Sequence, residues 1–353
     1  MSTTFHSLKI KEIKKETTDT VSISFEVPAE LSAAYTFVAG QYLTLKAKIN
    51  GEEVRRSYSI CAAPYENELT VAVKAIENGI FSTYATKNLS VGDVLEVMPP
   101  MGGFKVETAS SNAKNYIFYA AGSGITPVIS MVKSILKAEP NSNVQLYYGS
   151  KSATETIFRS KLEALNHEYI NFNLTYITSR EDSGSEETNG RIDLAKCDYF
   201  YAKSQSSLTI DAVYVCGPIE MIDSVKNFYT GKGLKDKVHF ELFKATAPTQ
   251  PVLASSSEPV DSNVTVIIDD EEYVFTLNSS GKDILQAAQD QDADVPFSCK
   301  GGVCCTCRAK LLEGTVRMDM NFALEEDEVA NGFILTCQSH PTSEKVVVSF
   351  DEY

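Results

Sequence analysis

The sequence predicts a multidomain chain: an antiparallel β-barrel, then an α/β domain on a parallel sheet, then a small α+β module built round a cysteine loop. Three observations carry this. Up to about residue 106, short alternating or β-branched runs are separated by turn residues such as Asn50-Gly51 and Glu77-Asn78-Gly79, the pattern of an antiparallel sheet that closes on itself. From about Asn115 the rhythm changes to strand, turn, helix, and such alternation implies parallel strands joined by right-handed crossovers. Finally, five of the eight cysteines lie in the last 55 residues, four of them within residues 299–307.

The first part, residues 1–108, supplies the strands LKIKEIKKET, TVSISFEVP, YLTLKAKI, RRSYSIC and ELTVAVKAI, with a short helix expected over residues 83–89. In the second, residues 113–243, YIFYAAG leads through a glycine turn into the apolar helix VISMVKSIL. NVQLYYGS then leads to TIFRSKLEAL; FNLTYITS follows; AVYVCGP leads to IEMIDSVKNFY; and VHFELF closes the unit, a nucleotide-binding layout. SREDSGSEETNGR reads as a surface loop, and residues 244–262, rich in Ala, Ser, Pro and Thr without periodicity, read as a linker. In the third part, residues 263–353, VTVIIDDEEYVFTL is a hairpin turning at residues 269–272, DILQAAQDQ an amphipathic helix and VVVSF a closing strand.

Composition narrows the function. At 353 residues and 43% hydrophobic content, the chain has room for two or three domains, each with its own core. Its start, MSTTFHSLKIKEIKKETTDT, alternates apolar and charged residues, so it is read as neither signal peptide nor membrane span, and a cytoplasmic protein with reduced thiols is expected. Residues 264–353 hold 17 acidic and 6 basic residues, so most of the net charge of −15 lies there. That balance excludes a nucleic-acid partner. An acidic face could steer a basic protein partner or be merely solvated. The acidic run Glu325-Glu326-Asp327-Glu328 reads as a solvated turn or helix start, and His6, His167, His239 and His340 lack metal-ligand spacing.

Cys299, Cys304, Cys307 and the distant Cys337 form C-x4-C-x2-C plus one, the spacing of a plant-type [2Fe–2S] centre. A rhombic cluster needs two thiolates on each iron, and Gly301 and Gly302 let a tight loop bring its backbone close to the sulfurs. A four-cysteine zinc site is the alternative, but it usually shows two short Cys pairs. Cys305 is left as a spare thiol.

Further motifs lie upstream. Arg56-Ser57-Tyr58-Ser59 offers a cation for pyrophosphate, a ring to stack on an isoalloxazine and a hydroxyl for its N5 edge. Gly79-Ile80-Phe81-Ser82 opens the expected helix, where backbone N–H groups suit phosphate. Gly122-x-Gly124-x-x-Pro127 follows a strand and opens a helix, although Pro127 replaces the third glycine of the dinucleotide fingerprint. Val215-Cys216-Gly217-Pro218 closes the fourth parallel strand, at the sheet edge where ligands bind.

Together these residues resemble the ferredoxin–NADP reductase superfamily with a fused plant-type ferredoxin, over nearly the whole chain and in the same domain order. Arg56, Tyr58 and Ser59 match its R-x-Y-S flavin motif, Val73 and Lys74 its next flavin-contacting strand, Gly79 and Ser82 its G-x-x-S phosphate turn. Pro100-Met101-Gly102-Gly103-Phe104 is similar to its P-x-G-x-F segment. Gly122, Gly124, Thr126 and Pro127 match its pyridine-nucleotide loop, and Cys216, Gly217, Pro218 and Met221 its C-G-P-x-x-M segment beside the nicotinamide. Lys300 stands where the family often has Arg, and either Arg55 or Arg56 could reach phosphate. The resemblance implies a flavin barrel, an NAD(P)-binding domain and a β-grasp ferredoxin domain. It also implies FAD rather than FMN, NADPH or NADH as donor, and Cys299, Cys304, Cys307 and Cys337 as cluster ligands.

Within the superfamily, Glu53-Val54-Arg55-Arg56-Ser57-Tyr58-Ser59-Ile60-Cys61 and Phe333-Ile334-Leu335-Thr336-Cys337-Gln338 most resemble reductase components of multicomponent oxygenases, those of the phenylacetyl-CoA epoxidase type in phenylacetate degradation. The resemblance thus implies electron delivery to a di-iron or Rieske oxygenase component, with Ser59 at the flavin N5, Tyr58 over the ring and Cys216 near the nicotinamide. Reductases for steroid or ring hydroxylases or hybrid-cluster proteins have similar parts, and a flavin and iron–sulfur redox sensor is a different class. For the donor, no acid follows the second parallel strand before Glu155, whereas Ser179 and Arg180 follow the third. That charge logic favours NADPH, unless Arg180 and Lys151 are simply solvated.

Overall fold

The computed structural model describes residues 4–204, 209–243 and 259–352. By contacts the chain divides into two compact units, the first ending at Glu241 and the second beginning at Leu242. Among the described residues no helix is long and apolar enough to cross a membrane.

The first unit begins with six strands: β1 (His6–Thr17), β2 (Thr20–Glu26), β3 (Tyr42–Ile49), β4 (Glu52–Ser59), β5 (Leu69–Lys74) and, after helix α1 (Ile80–Lys87), β6 (Val94–Val97). They form one antiparallel sheet in the order β4-β3-β6-β1-β2-β5. The β3–β4 hairpin turns at Asn50 and Gly51, both with positive φ (53° and 88°), as a two-residue primed turn requires. Ile60, just past β4, bridges Val71 in β5, so the two ends of the strand order meet. Leu8, Ile10, Ile23, Leu43, Leu45, Ile60, Val71 and Val97 are fully buried inside. The sequence reading lacked β6, whose four residues alternate too briefly to register, and set α1 three residues late.

A five-stranded parallel sheet follows. Its elements are β7 (Asn115–Ala121), α2 (Ile125–Ala138), β8 (Asn143–Ser150), α3 (Arg159–Glu168), β9 (Phe172–Thr178), α4 (Leu194–Ser204), β10 (Ala212–Cys216), α5 (Ile219–Gly231) and β11 (Val238–Glu241). The order is β11-β10-β7-β8-β9. Because β7 lies between β8 and β10, the chain leaves it in opposite directions, which opens a crevice at the carboxyl ends of these strands. Helix α2 is buried at every residue from Ile125 to Leu136. The cause is that it packs on both sheets: Ala39, Cys61, Ala72, Phe104 and Val106 share its core with Phe118, Ala120 and Leu146. On the side facing the first sheet, Ser130 Oγ donates to the Ala62 carbonyl at 2.6 Å and Lys133 Nζ pairs with Glu66 Oε2 at 2.5 Å. Helix α4 was not foreseen; it is anchored by Phe200 stacking on Tyr147 at 4.1 Å, a contact no local pattern announces.

The second unit contains β12 (Asp261–Ile268), β13 (Glu271–Asn278), α6 (Ile284–Gln289), β14 (Arg308–Glu313), β15 (Val316–Met318), α7 (Glu326–Ala330), β16 (Phe333–Leu335), β17 (Ser339–Pro341) and β18 (Lys345–Ser349). Its main sheet runs β13-β12-β18-β14-β16, with β15 and β17 paired separately. The β12–β13 turn is Asp269-Asp270, both at positive φ. The Asp283 side chain caps α6 through Gln286 N at 2.8 Å. The acidic run begins α7, where the Glu325 N–H donates to Glu328 Oε2 at 3.1 Å. The expected linker over residues 244–262 lies mostly outside the described residues, and its last residues belong to β12, which starts at Asp261.

Candidate functional site

The cysteine loop has little regular structure of its own; residues 299–307 hang between α6 and β14. Its sulfurs nevertheless converge. Cys304 Sγ lies 3.1 Å from Cys299 Sγ, and the Gly301 N–H donates to Cys299 Sγ at 3.4 Å. Hydrogen bonds from Cys304, Cys337 and the Gly301 and Val303 amides hold the Cys299 thiol far below its usual range. Cys337 is pushed the opposite way by its contacts with Cys299 and Cys307. Cys304 is likewise raised, by Cys299 and by burial. Cys305 is turned aside and donates to the Ala323 carbonyl at 3.2 Å. The structure thus separates the four spaced cysteines from the fifth. Their sulfurs pair in contact, and among the described residues no group of three or more His, Cys, Asp or Glu is arranged to hold a single metal ion. Thiol donors with a backbone N–H aimed at sulfur fit an iron–sulfur centre.

In the first unit three remote segments meet. Ser59, buried at the end of β4, donates from Oγ to Glu241 Oε2 at 3.3 Å. Glu241 ends β11 directly beside Cys216, which ends β10. Burial pushes the Glu241 carboxyl from 4.5 up to about 8, opposed by the Ser59 hydrogen bond. Burial, with the Glu241 charge, also keeps the Cys216 thiol protonated well above its ordinary range. A proton can therefore rest on Glu241 near neutrality, between a hydroxyl and a thiol. Sequence reasoning named Ser59 and Cys216 but missed Glu241. The available signal was an acid at the carboxyl end of the strand following Cys216.

The glycine loop lies against the same strand end. A Cβ on Gly124 would come within 2.0 Å of the Cys216 carbonyl oxygen, and one on Gly217 within 2.6 Å of Met221 Cε. Both positions need glycine because backbone or side chain fills the space. Thr126 Oγ1 donates to the Ser123 carbonyl at 2.9 Å, and Tyr148 OH to the Gly122 carbonyl at 3.1 Å. Pro127 lies buried in the first turn of α2, where its missing N–H costs nothing. Pro218 is the N-cap of α5. The loop thus lays its backbone at Gly124 against the end of β10, and backbone N–H groups at a helix start suit phosphate.

On the first sheet the two arginines differ. Arg55 is buried and paired with Glu53 at 2.8 Å, whereas Arg56 is exposed, its guanidinium donating to the Arg55 carbonyl at 2.6 Å. Of the two, Arg56 is the one that faces outward. The Tyr58 ring packs on Phe81 at 5.6 Å, and burial raises its phenol, opposed by Arg56. Val73 is fully buried in the core, and Lys74 pairs with Asp19 at 3.4 Å. Ser82 Oγ accepts the Ile76 N–H at 3.2 Å and would lie 2.3 Å from a Cβ on Gly79. The Ser82 hydroxyl thus shapes the turn that opens α1.

At the outer edge of the parallel sheet, Ser179 Oγ donates to the Ser150 carbonyl at 3.3 Å and the Arg180 N–H to the Lys151 carbonyl at 2.9 Å. Lys151 is engaged by Glu155 at 3.2 Å, while Arg180 is exposed.

Residues 7–106 match the family described as "Oxidoreductase FAD-binding domain", residues 118–227 "Oxidoreductase NAD-binding domain" and residues 266–342 "2Fe-2S iron-sulfur cluster binding domain". The chain is 41% identical over 351 residues to a component of the 1,2-phenylacetyl-CoA epoxidase of Escherichia coli (strain K12), covering 99% of this chain and 98% of that one. It is 32% identical to the ferredoxin reductase component of 3-ketosteroid-9-alpha-monooxygenase from Rhodococcus rhodochrous, covering 97% and 96%. Among solved structures it resembles phthalate dioxygenase reductase, described as a modular structure for electron transfer from pyridine nucleotides to [2Fe–2S], with TM-score 0.60, 27% identity and 98% of both chains covered. The chain therefore belongs to the ferredoxin–NADP reductase-like family with FAD-binding, NAD-binding and [2Fe–2S] domains, an NAD(P)H-dependent flavin and iron–sulfur reductase resembling the reductase components of oxygenases.

Proposed function

We propose that this chain is a cytoplasmic reductase that carries electrons from NADPH to the oxygenase component of a phenylacetyl-CoA epoxidase-type system. Bound FAD would couple a two-electron nicotinamide donor to a [2Fe–2S] centre that passes electrons singly. The observation that carries the redox part is the Ser59–Glu241 hydrogen bond beside Cys216, because it puts a protonated acid and a hydroxyl at the edge where nicotinamide and flavin must meet. Ser59 orients the flavin N5 edge, Glu241 holds the proton there, Tyr58 covers the ring and Cys216 lies against the nicotinamide.

Arg56 and the Gly79–Ser82 turn take the flavin pyrophosphate, with the Val73 and Lys74 strand alongside. Gly122, Gly124, Thr126, Pro127, Gly217 and Pro218 frame the nucleotide diphosphate, and Ser179 and Arg180 the 2′-phosphate. Cys299, Cys304, Cys307 and Cys337 hold the irons. The domains are residues 1–108, 113–243 and 263–353. The Ile60–Val71 bridge supports a closed barrel in the first, and the order β13-β12-β18-β14-β16 with α6 supports a β-grasp fold in the third.

Likeness over the full length to the epoxidase component supports an epoxidase-type oxygenase component, di-iron or Rieske, as acceptor; likeness to the ketosteroid monooxygenase component favours a monooxygenase of that type as second reading. Absorption spectra of the purified chain before and after NADPH or NADH test donor, flavin and cluster together. Turnover with each purified oxygenase then decides the acceptor: product formed only with the ketosteroid monooxygenase would overturn the epoxidase assignment.

A further inference from the structure

Gln338, next to Cys337, is only 8% exposed and lies under the cysteine loop. Its amide nitrogen reaches the Cys337 carbonyl at 2.7 Å, the Lys300 carbonyl at 3.2 Å and Cys337 Sγ at 3.8 Å. The contact with Lys300 crosses from the segment holding the distant cysteine to the loop holding the other three. What it grips is one end of a peptide group whose other end is already functional. The Lys300 carbonyl and the Gly301 N–H share one plane and point in opposite directions, and that N–H donates to Cys299 Sγ at 3.4 Å. Holding the oxygen therefore aims the hydrogen.

This peptide needs holding. Lys300 sits at φ +51°, a left-handed conformation disfavoured for a residue with a Cβ, and Gly301 has no Cβ to resist rotation. Gly302 fits closely over Gln338, since a Cβ there would lie 3.2 Å from Gln338 Cγ and 2.9 Å from the Met320 carbonyl.

We propose that Gln338 is a positioning residue that sets the reduction potential of the [2Fe–2S] centre by locking the Lys300–Gly301 peptide, so that its N–H stays on the Cys299 sulfur. The inference rests on the four cysteines being the cluster ligands. Hydrogen bonds to ligand sulfurs stabilise the more negative reduced cluster and so raise its potential. Removing the Gln338 amide releases the peptide, the Gly301 N–H leaves the sulfur and the potential falls.

The test uses full-length holoprotein labelled with [15N]glycine, as wild type and Gln338→Leu. Readouts are iron and sulfide content, the midpoint potential from an EPR-monitored titration, and proton and 15N couplings of the reduced cluster in H2O and D2O. Iron with equimolar sulfide in the wild type secures the ligand reading; its absence refutes that reading. In the wild type an exchangeable proton on a glycine nitrogen should couple to the cluster. Gln338→Leu should keep its iron and sulfide, lose that coupling and be reduced about tenfold less favourably, a shift of about 59 mV for one electron. An unchanged potential overturns the proposal. So does a lower potential with the glycine coupling intact, which would assign the effect to the direct Cys337 contact. Should the leucine variant fail to load, the wild-type spectrum still decides, because no coupled glycine proton there means no such hydrogen bond.

Discussion

The cysteine loop and the Ser59–Glu241–Cys216 corner are built in opposite ways. The loop draws three of its four sulfurs from nine consecutive residues, and only Cys337 arrives from a distance. The corner takes one residue from each of three strand ends, and Ser59 and Glu241 are separated by 182 positions in the chain. A group held by thiols needs ligands at fixed short spacing, so its signature is written locally. A proton-holding corner needs only that strand ends converge, which the sheet order supplies and no local motif records.

The largest expected effect tests whether the two regions are separate stations. Cys337→Ser should abolish reduction of cytochrome c or an oxygenase while leaving NADPH–ferricyanide reduction within about twofold, since one lost ligand removes the cluster but spares the corner. Equal loss of both activities would end the separation. Next, Glu241→Gln should slow nucleotide-driven flavin reduction by about 10²-fold, the scale of one positioned acid. Stopped-flow rates should fall in the wild type as pH passes about 8, where Glu241 ionises, and stay flat in the variant.

The same carboxyl gives a stability test. Its folded value near 8 exceeds the ordinary 4.5, so between these the folded chain keeps a proton the unfolded chain has released. The Tm of the wild type relative to Glu241→Gln should therefore fall as pH rises from about 4.5 to about 8 and level off above. Gly124→Ala should cost about 1–3 kcal/mol in urea unfolding, because the added methyl meets the Cys216 carbonyl. The smallest effect is expected for Arg180→Ala, about tenfold in KM for NADPH with NADH unchanged, the worth of one charged hydrogen bond at an exposed edge.

Legibility followed the same division. Strands with sustained apolar runs between turn residues, such as β3 before Asn50-Gly51 and β8 after Pro140-Asn141-Ser142, read to the residue, with side chains buried on both faces. Helix α4 and strand β6 did not read, since one depends on an aromatic stack with Tyr147 and the other on two longer neighbours that complete its pairing. Among candidate site residues, the motifs name Ser59 and Cys216, which the fold brings to one corner. Glu241 carries only the weak signal of an acid ending the strand after Cys216, and the division between buried Arg55 and exposed Arg56 carries none, because burial and ion pairing with Glu53 are decided by the fold.

Helix α2 carries a consequence for how such proteins can be recombined. Its buried faces draw on residues from both the antiparallel and the parallel sheet, so cutting the chain between them would strip a common interior and leave two sticky halves. Among the described residues the C-terminal unit has a core of its own, from Val264 to Phe350. Gene fusion could graft that piece onto another reductase or discard it, whereas the two halves meeting at α2 must be inherited as one.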